Sequence, residues 1–492
     1  MRASRGSTCS VSLAKLASVR SAVQSPVQRN PCAIRSRDRE TAGLVLRMLW
    51  ALLVLWAVGC KETKGETKGP PREPDTEVAR PVHALTGPSN RVQEGERQAS
   101  GAARPARQRP AMAQRRQTLL EFSPKPNDQI MTATIQRVSL AGDTEPELLV
   151  AQPLLGQLSW LRGCADGSCD VTVLPGLGQP VRATPVDADG DGDLDVLVAD
   201  VGAVRATDER VGRVMLLVND GNFVFMRRQL GRFRRVSCAE PGDFDGDGDP
   251  DVLVCEFGLD HGSVSWLERR ADATYRLHTI KRGAGATQAV PHDLDADGKL
   301  DVVVSMSQDY QQIVAFRNLG GGRFEERVLW RAHPDFGLVG LEAADLDRDG
   351  DLDFVVSGGD YSDESYSFDE HGVFWLENTG AFAFTARRLA GLLGAHATRV
   401  VDLDGDGDLD VAVASMRVAH QLPEAHRSEA GLWWLENRGR QVFARHPVGN
   451  WPAHTLALEV VDFGSGPVWF VGSFTFSVAR PGDVRLAALW PR

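Results

Sequence analysis

The sequence predicts an all-β chain closed into a seven-bladed β-propeller. Three observations carry that prediction. A short acidic motif recurs seven times, four short strands with hairpin turns accompany each copy, and a stray strand precedes the first copy.

Five copies of the motif align without gaps. They are DADGDGDLDVLVA from Asp187, DFDGDGDPDVLVC from Asp243, DLDADGKLDVVVS from Asp293, DLDRDGDLDFVVS from Asp345 and DLDGDGDLDVAVA from Asp402. SLAGDTEPELLVA from Ser139 keeps the frame with fewer acids, and DFGSGPVWFVG from Asp462 keeps the opening Asp and the strand but is two residues shorter. Successive starts lie 48, 56, 50, 52, 57 and 60 residues apart, about the length of a four-stranded blade.

Within each repeat an apolar β-branched run follows the motif. A loop leads to a segment such as VSWLER (264–269), VFWLEN (373–378) or LWWLEN (432–437), then a Gly/Asn/Asp turn, then a fourth strand such as YRLHTI or FTARRL. Trp160, Trp266, Trp375 and Trp434 recur in step with the repeats, which marks them as core packing. The last repeat stops after a third strand near 484–490. The stray segment QTLLEF (117–122) resembles the fourth strands, so it is expected to complete blade seven and remove a free sheet edge. The propeller is thus expected over 116–492.

Before it, residues 61–115 are dominated by Pro, Gly, Lys, Arg and Glu and cannot bury enough apolar surface to fold, so they read as a disordered linker. Residues 48–60 contain an unbroken apolar run, Met48 to Gly59, behind Arg47. It is too short for a transmembrane helix of roughly 20 residues but suits the core of an export signal. Residues 1–47 carry no periodicity or motif and read as non-structural or as a mis-assigned start. Overall, 66 Asp and Glu against 55 Lys and Arg give a net charge of −11, which argues against a nucleic-acid partner.

Much of that acidity sits in the five loops. The spacing D-x-D-x-D-G-x-x-D sets carboxylates at positions one, three, five and nine, a carbonyl at seven, and a turn-permitting Gly at six. About five Ca2+ sites are therefore expected. The residues concerned are Asp187, Asp189, Asp191, Asp193 and Asp195; Asp243, Asp245, Asp247, Asp249 and Asp251; Asp293, Asp295, Asp297, Lys299 and Asp301; Asp345, Asp347, Asp349, Asp351 and Asp353; and Asp402, Asp404, Asp406, Asp408 and Asp410. Lys299 is compatible because position seven would ligate through its carbonyl. An EF-hand is rejected, since position twelve is Val198, Val254, Val304, Val356 or Val413 rather than Glu. The Ser139 and Asp462 loops are expected to bind nothing.

Together the Asp loops, the V-[VL]-V strand and the W-L-E-N strand resemble FG-GAP/VCBS repeats, the type that forms the integrin α-chain propeller. The resemblance covers about residues 116–492. It implies calcium sites on one propeller face and partner contacts largely on the other. Ala57-Val58-Gly59-Cys60 likewise resembles the lipobox of bacterial lipoproteins, which implies lipidation of Cys60. Ala57 stands where that family usually has Leu. The expected location is the cell envelope, lipid-anchored at the outer membrane or cell surface, or otherwise periplasmic or secreted.

Strand order places the Asp loops and the third-to-fourth hairpins on one face. The long segments Asp200–Arg213, Gly358–Gly372 and Met416–Gly431 fall on the other, where Tyr361, Asp363, Glu364, Tyr366, Asp369 and His371 are candidate contacts for a cationic or sugar partner. Three residues before each motif stand Gln136, Thr184, Glu240, Val290, Glu342, Arg399 and Glu459. Each is preceded by a mostly small or apolar residue, so this set is expected to face the channel. With His396 and His454 at the same mouth, it reads as an ion-paired lining; the rival reading is a sugar lyase or dehydratase site. Because no nucleophile or metal spacing recurs there, the chain reads as a binding, adhesion or scaffold module and not an enzyme. Once Cys9, Cys32 and Cys60 are set aside, Cys164, Cys169, Cys238 and Cys255 remain as disulfide candidates, 164–169 across a turn and 238–255 across two strands.

Overall fold

In a computed structural model of the protein, the described residues are 114–121, 131–142, 145–174, 176–308, 310–360, 368–417, 429–449, 451, 454–474 and 484–491. Cys60, the apolar run before it, and Tyr361, Asp363, Glu364 and Tyr366 lie outside them. Among the described residues there is no α-helix, only four 3-10 turns and seven four-stranded antiparallel sheets. Likewise no helix is long and apolar enough to cross a membrane.

Each sheet is one blade, and in blades one to six the strands are hydrogen-bonded in chain order. The innermost strands are Thr134–Val138, Pro180–Val186, Val236–Gly242, Ala286–His292, Leu338–Ala344, Ala395–Val401 and Thr455–Asp462. Each touches the inner strand of the next blade, and the last touches the first, which closes the ring. Blade seven runs inward-out through Pro467–Ser473 and Val484–Pro491 to Gln114–Glu121, the strand from ahead of the first repeat. The seal predicted from sequence is therefore present. It starts three residues earlier than expected, so Gln114 and Arg115, assigned to the linker, belong to the sheet.

The β-branched run after each motif forms the second strand of its blade. Its residues are buried throughout in Asp195–Asp200, Asp251–Glu256, Asp301–Met306, Asp353–Gly358 and Asp410–Ser415, because sheets stack on both of their faces. That is why the run lacks alternation. The outer strands, such as Phe225–Phe233, are half-exposed. Trp160, Trp266, Trp375 and Trp434 are all at most 5% exposed, as core packing requires. The structure joins Cys164 to Cys169 and Cys238 to Cys255, with Cα separations of 4.5 and 4.9 Å.

Candidate metal centres and central channel

The five acidic motifs fold into near-identical loops between the first and second strands. At position one the carboxylate caps the turn: Asp187 accepts the N–H groups of Gly190 and Gly192 at 2.8 and 3.2 Å, and Asp402 repeats the pattern with Gly405 and Gly407. The carboxylate at position five accepts the N–H of position seven, as in Asp191 with Asp193 at 2.9 Å. At position six the glycines all have positive φ, from +85° to +100°, and a Cβ added there would meet nothing. Glycine is required by conformation and not by space.

Carboxylate oxygens then converge. In each loop, one oxygen from each of three Asp residues lies within 4.8 Å of the others: Asp187, Asp189 and Asp191; Asp243, Asp245 and Asp251; Asp293, Asp295 and Asp297; Asp345, Asp347 and Asp353; Asp402, Asp404 and Asp410. At about 4 Å, two like charges repel by roughly 4 kcal/mol even at an effective dielectric near 20. A cation or a proton would relieve that repulsion. An all-oxygen donor set of this kind suits a hard divalent cation of calcium type. Asp295 Oδ1 and Asp347 Oδ1 point the same way, being buried without a hydrogen-bond partner. The side chains at position seven do not join the clusters: Asp249 pairs instead with Arg269 at 2.6 Å, which leaves position seven only its carbonyl.

The aspartate at position nine has a second role that spacing did not reveal. Asp195, Asp251, Asp301, Asp353 and Asp410 are at most 1% exposed, and burial pushes their carboxyls up, to about 7 for Asp251 and Asp410 and about 6 for Asp353. One oxygen of each accepts the N–H of position two and the other accepts the first N–H of the third-to-fourth hairpin. For Asp410 these are Leu403 at 3.0 Å and Asn437 at 2.7 Å. The turn Asn donates its amide back to the position-eight carbonyl, as Asn437 does to Leu409 at 3.2 Å. In blade one Glu147 holds position nine, and its Oε2 alone accepts from Leu140, Ala141 and Trp160 Nε1, so the tie to the loop start persists while a third-strand indole replaces the hairpin N–H. The Asp462 loop closes on itself through Gly464 and Gly466.

The channel holds a cavity of roughly 310 Å³ lined by residues from six blades, among them Gln136, Arg182, Gln288, Glu342, His396, Arg399 and Glu459. The expected alternation is present: Ile135, Ala183, Ala239, Ala289, Leu341 and Leu458 pack in the blade cores and the next residue turns inward. Val290 is the exception and packs with the Phe336 cluster. Arg399 bridges Glu459 at 2.9 Å and Glu342 at 3.2 Å, while Arg182 meets Glu240 at 3.2 Å and Thr184 donates to Glu240 at 3.1 Å. Burial raises the carboxyls of Glu240 and Glu342 against the pull of those arginines. Arg182 and Gln288 were missed because the reading stopped at one position per blade. They stand two residues nearer the N-terminus, where the same alternation leads.

Two histidine expectations need correction. His454 is exposed and does not line the cavity. His371, read as a surface contact, is only 1% exposed, and its Nδ1 accepts the Gly394 N–H at 3.5 Å. Asp369 does remain at the surface, where its carbonyl accepts from Arg388 at 2.6 Å.

Residues 199–254 and 293–356 match the family described as FG-GAP-like repeat, and those segments contain three of the five Asp loops. No curated protein matches the chain. Among solved structures, a catalytically inactive virginiamycin B lyase from Staphylococcus aureus with quinupristin shares 12% identity at a TM-score of 0.47, covering 77% of this chain and 100% of its own. An ancestral GH74 enzyme shares 10% identity at a TM-score of 0.48, covering 73% of this chain and 47% of its own.

Proposed function

Because this chain is a seven-bladed propeller carrying FG-GAP-like repeats, we propose that it is a calcium-braced binding or scaffold module, anchored at the cell envelope, that meets a protein or polysaccharide through the face opposite its Asp loops. The observation that carries this reading is the segregation of the two faces. All five acidic clusters lie in first-to-second loops, at the same end of blades two to six, and tie into the third-to-fourth hairpins there. Among the described residues, no second-to-third loop at the other end contributes to these clusters, which leaves that face for recognition.

Binding of the purified protein to envelope polysaccharides and surface proteins tests it, with two substitutions as the discriminator. Tyr310 is 62% exposed in the second-to-third loop of blade four, and Val442 is 60% exposed in a hairpin on the Asp-loop face. Tyr310→Ala, combined with Asp260→Ala in the equivalent loop of blade three, should weaken binding, and Val442→Ala should not. The reverse pattern would place the partner on the wrong face.

Export and anchoring rest on the apolar run ending at Cys60 and on the two cysteine pairs, which suit an oxidising compartment. Cys60→Ser should release an exported, soluble protein, while the native chain partitions into detergent and takes up fatty-acid label.

A second reading, a carbohydrate lyase or dehydratase at the channel mouth, draws on one observation. His396 Nδ1 lies 3.0 Å from the Leu456 carbonyl, which can only accept, so the neutral ring keeps its Nε2 lone pair free as a base beside Glu342 and Arg399. The ion pairing of Glu342 and Glu459 with Arg399 favours a structural lining. Product release from candidate polysaccharides, lost in His396→Ala, would reverse that preference.

A further inference from the structure

The five Asp loops are not electrostatically equal. We propose that the blade-four loop, 293–301, is the weakest of the five calcium sites and fills last, because Lys299 and Arg317 already act as its counter-ions. The proposal rests on the calcium reading above and ranks the sites within it.

In this loop Arg317 sits 2.6 Å from Asp295 Oδ2 and 3.6 Å from Asp297 Oδ2, and Lys299 Nζ sits 2.8 Å from the same Asp297 oxygen. Asp295 and Asp297 are two of the three residues in the blade-four cluster. The loop therefore carries four carboxylates against two cations that touch them, whereas the other four motif loops carry five carboxylates each. Calcium affinity in such loops follows the count and charge of the ligands. A cation entering blade four must first displace or tolerate two positive groups.

Arg317 owes its position to a single exchange in the repeat. It stands at the penultimate residue of the third strand, where blades three, five and six have Glu268, Glu377 and Glu436 and blade two has Val218. A glutamate at that place brings no positive charge to its loop: Glu268, Glu377 and Glu436 pair instead with His278, Arg387 and His446 on the fourth strands of their blades. The remaining cations near the other loops do not neutralise a cluster. Arg269 pairs with Asp249, outside its cluster, and Arg348 is exposed and makes no ion pair among the described residues. Blade four is still a site, since Asp295 Oδ1 is buried without a hydrogen-bond partner and keeps donor capacity.

The test is a calcium titration of the full chain against a competing chelator, with metal content measured after dialysis at several free-calcium levels. The native chain should show four tight sites and a fifth weaker by about tenfold or more. Asp293→Asn should remove the weak site and leave four. Arg317→Glu with Lys299→Asp should tighten the fifth until it merges with the rest, and the milder pair Arg317→Gln with Lys299→Gln should move it the same way. Five equivalent sites, or a weak site that survives Asp293→Asn, overturn the ranking. Absence of any bound calcium overturns the calcium reading itself, and the ranking falls with it, so the two failures are told apart by stoichiometry.

Discussion

Asp353 Oδ1 accepts the backbone N–H of Asn378 at 2.7 Å, while its Oδ2 accepts that of Leu346 at 3.1 Å. A single buried carboxylate thus ties the start of the Asp loop to the hairpin between the third and fourth strands of the same blade. Asp353→Ala removes both bonds and leaves two interior N–H groups unpaired. A loss of about 2–4 kcal/mol is expected, given that each unmet buried group costs about 1–3 kcal/mol. Asp351→Ala, two residues away at an exposed position seven, should change stability by no more than about 0.5 kcal/mol. Urea denaturation of both variants at one fixed calcium level checks the contrast. Equal losses would mean that Asp353 has no bracing role.

Calcium should raise thermal stability and a chelator should lower it. For each independent site, cation at one hundred times its dissociation constant adds about 2.7 kcal/mol to the folded state. Asp345 anchors a complete loop, holding the N–H groups of Asp349 and Gly350, whereas Asp462 belongs to a loop whose own glycines close it. Asp345→Ala should therefore cut the calcium-dependent part of the melting temperature, and Asp462→Ala should leave it unchanged. Melting that ignores a chelator, with metal analysis confirming an empty protein, would sink the cation reading.

The architecture was legible because it is one local pattern repeated. Strand two, the Gly turn, the Asp spacing and the third-strand Trp are set within each repeat, so blade count and loop position follow from counting. The strand Gln114–Glu121 was recognisable by likeness, although its first three residues, with Arg115 and Arg116 among them, hid the true start. What stayed hidden depends on partners distant in sequence. Arg399 donates to the Ile135 carbonyl 264 residues away and pairs with glutamates on either side. The inward turn of His371 and the reach of Arg317 to Asp295 are likewise tertiary facts. Each residue looks like an ordinary polar strand or loop residue until the neighbouring chain is in place.

The Arg399 bridge predicts a pH signature. Arg399→Met leaves Glu342 and Glu459 facing each other without their cation, a change worth about 3–5 kcal/mol when one partner of a buried pair is removed. Burial already raises the folded-state carboxyl of Glu342, and Arg399 opposes that rise. Without the arginine the folded value moves further up. A raised acid binds its proton more tightly in the folded state, so its penalty is full above the folded value and fades as pH falls toward the unfolded value near 4.5. The deficit of the variant relative to native protein should thus be largest at about pH 8 and smaller at about pH 5. Paired denaturation curves at the two pH values decide it, and a deficit that grows on acidification would contradict the assignment.

The cysteine pairs give the last prediction. Sequence distances place Cys238 and Cys255 roughly opposite each other across the first two strands of blade three, but a one-residue offset would part them. The inner strand resolves this with a register irregularity between Val236 and Cys238, after which Cys238 stands directly across from Cys255. Both are fully buried. Closing their seventeen-residue separation should stabilise the fold by about 3 kcal/mol in the chain-entropy account, against about 2 kcal/mol for the five-residue span of Cys164 and Cys169. Cys238→Ala with Cys255→Ala should therefore cost more than Cys164→Ala with Cys169→Ala, the more so because both members of the first pair are core residues, whereas Cys169 is only partly buried. Non-reducing peptide mapping of exported protein should find none of the four thiols open to alkylation. Two open thiols would identify which bridge fails, and four would remove both bridges along with the support they lend to an oxidising compartment.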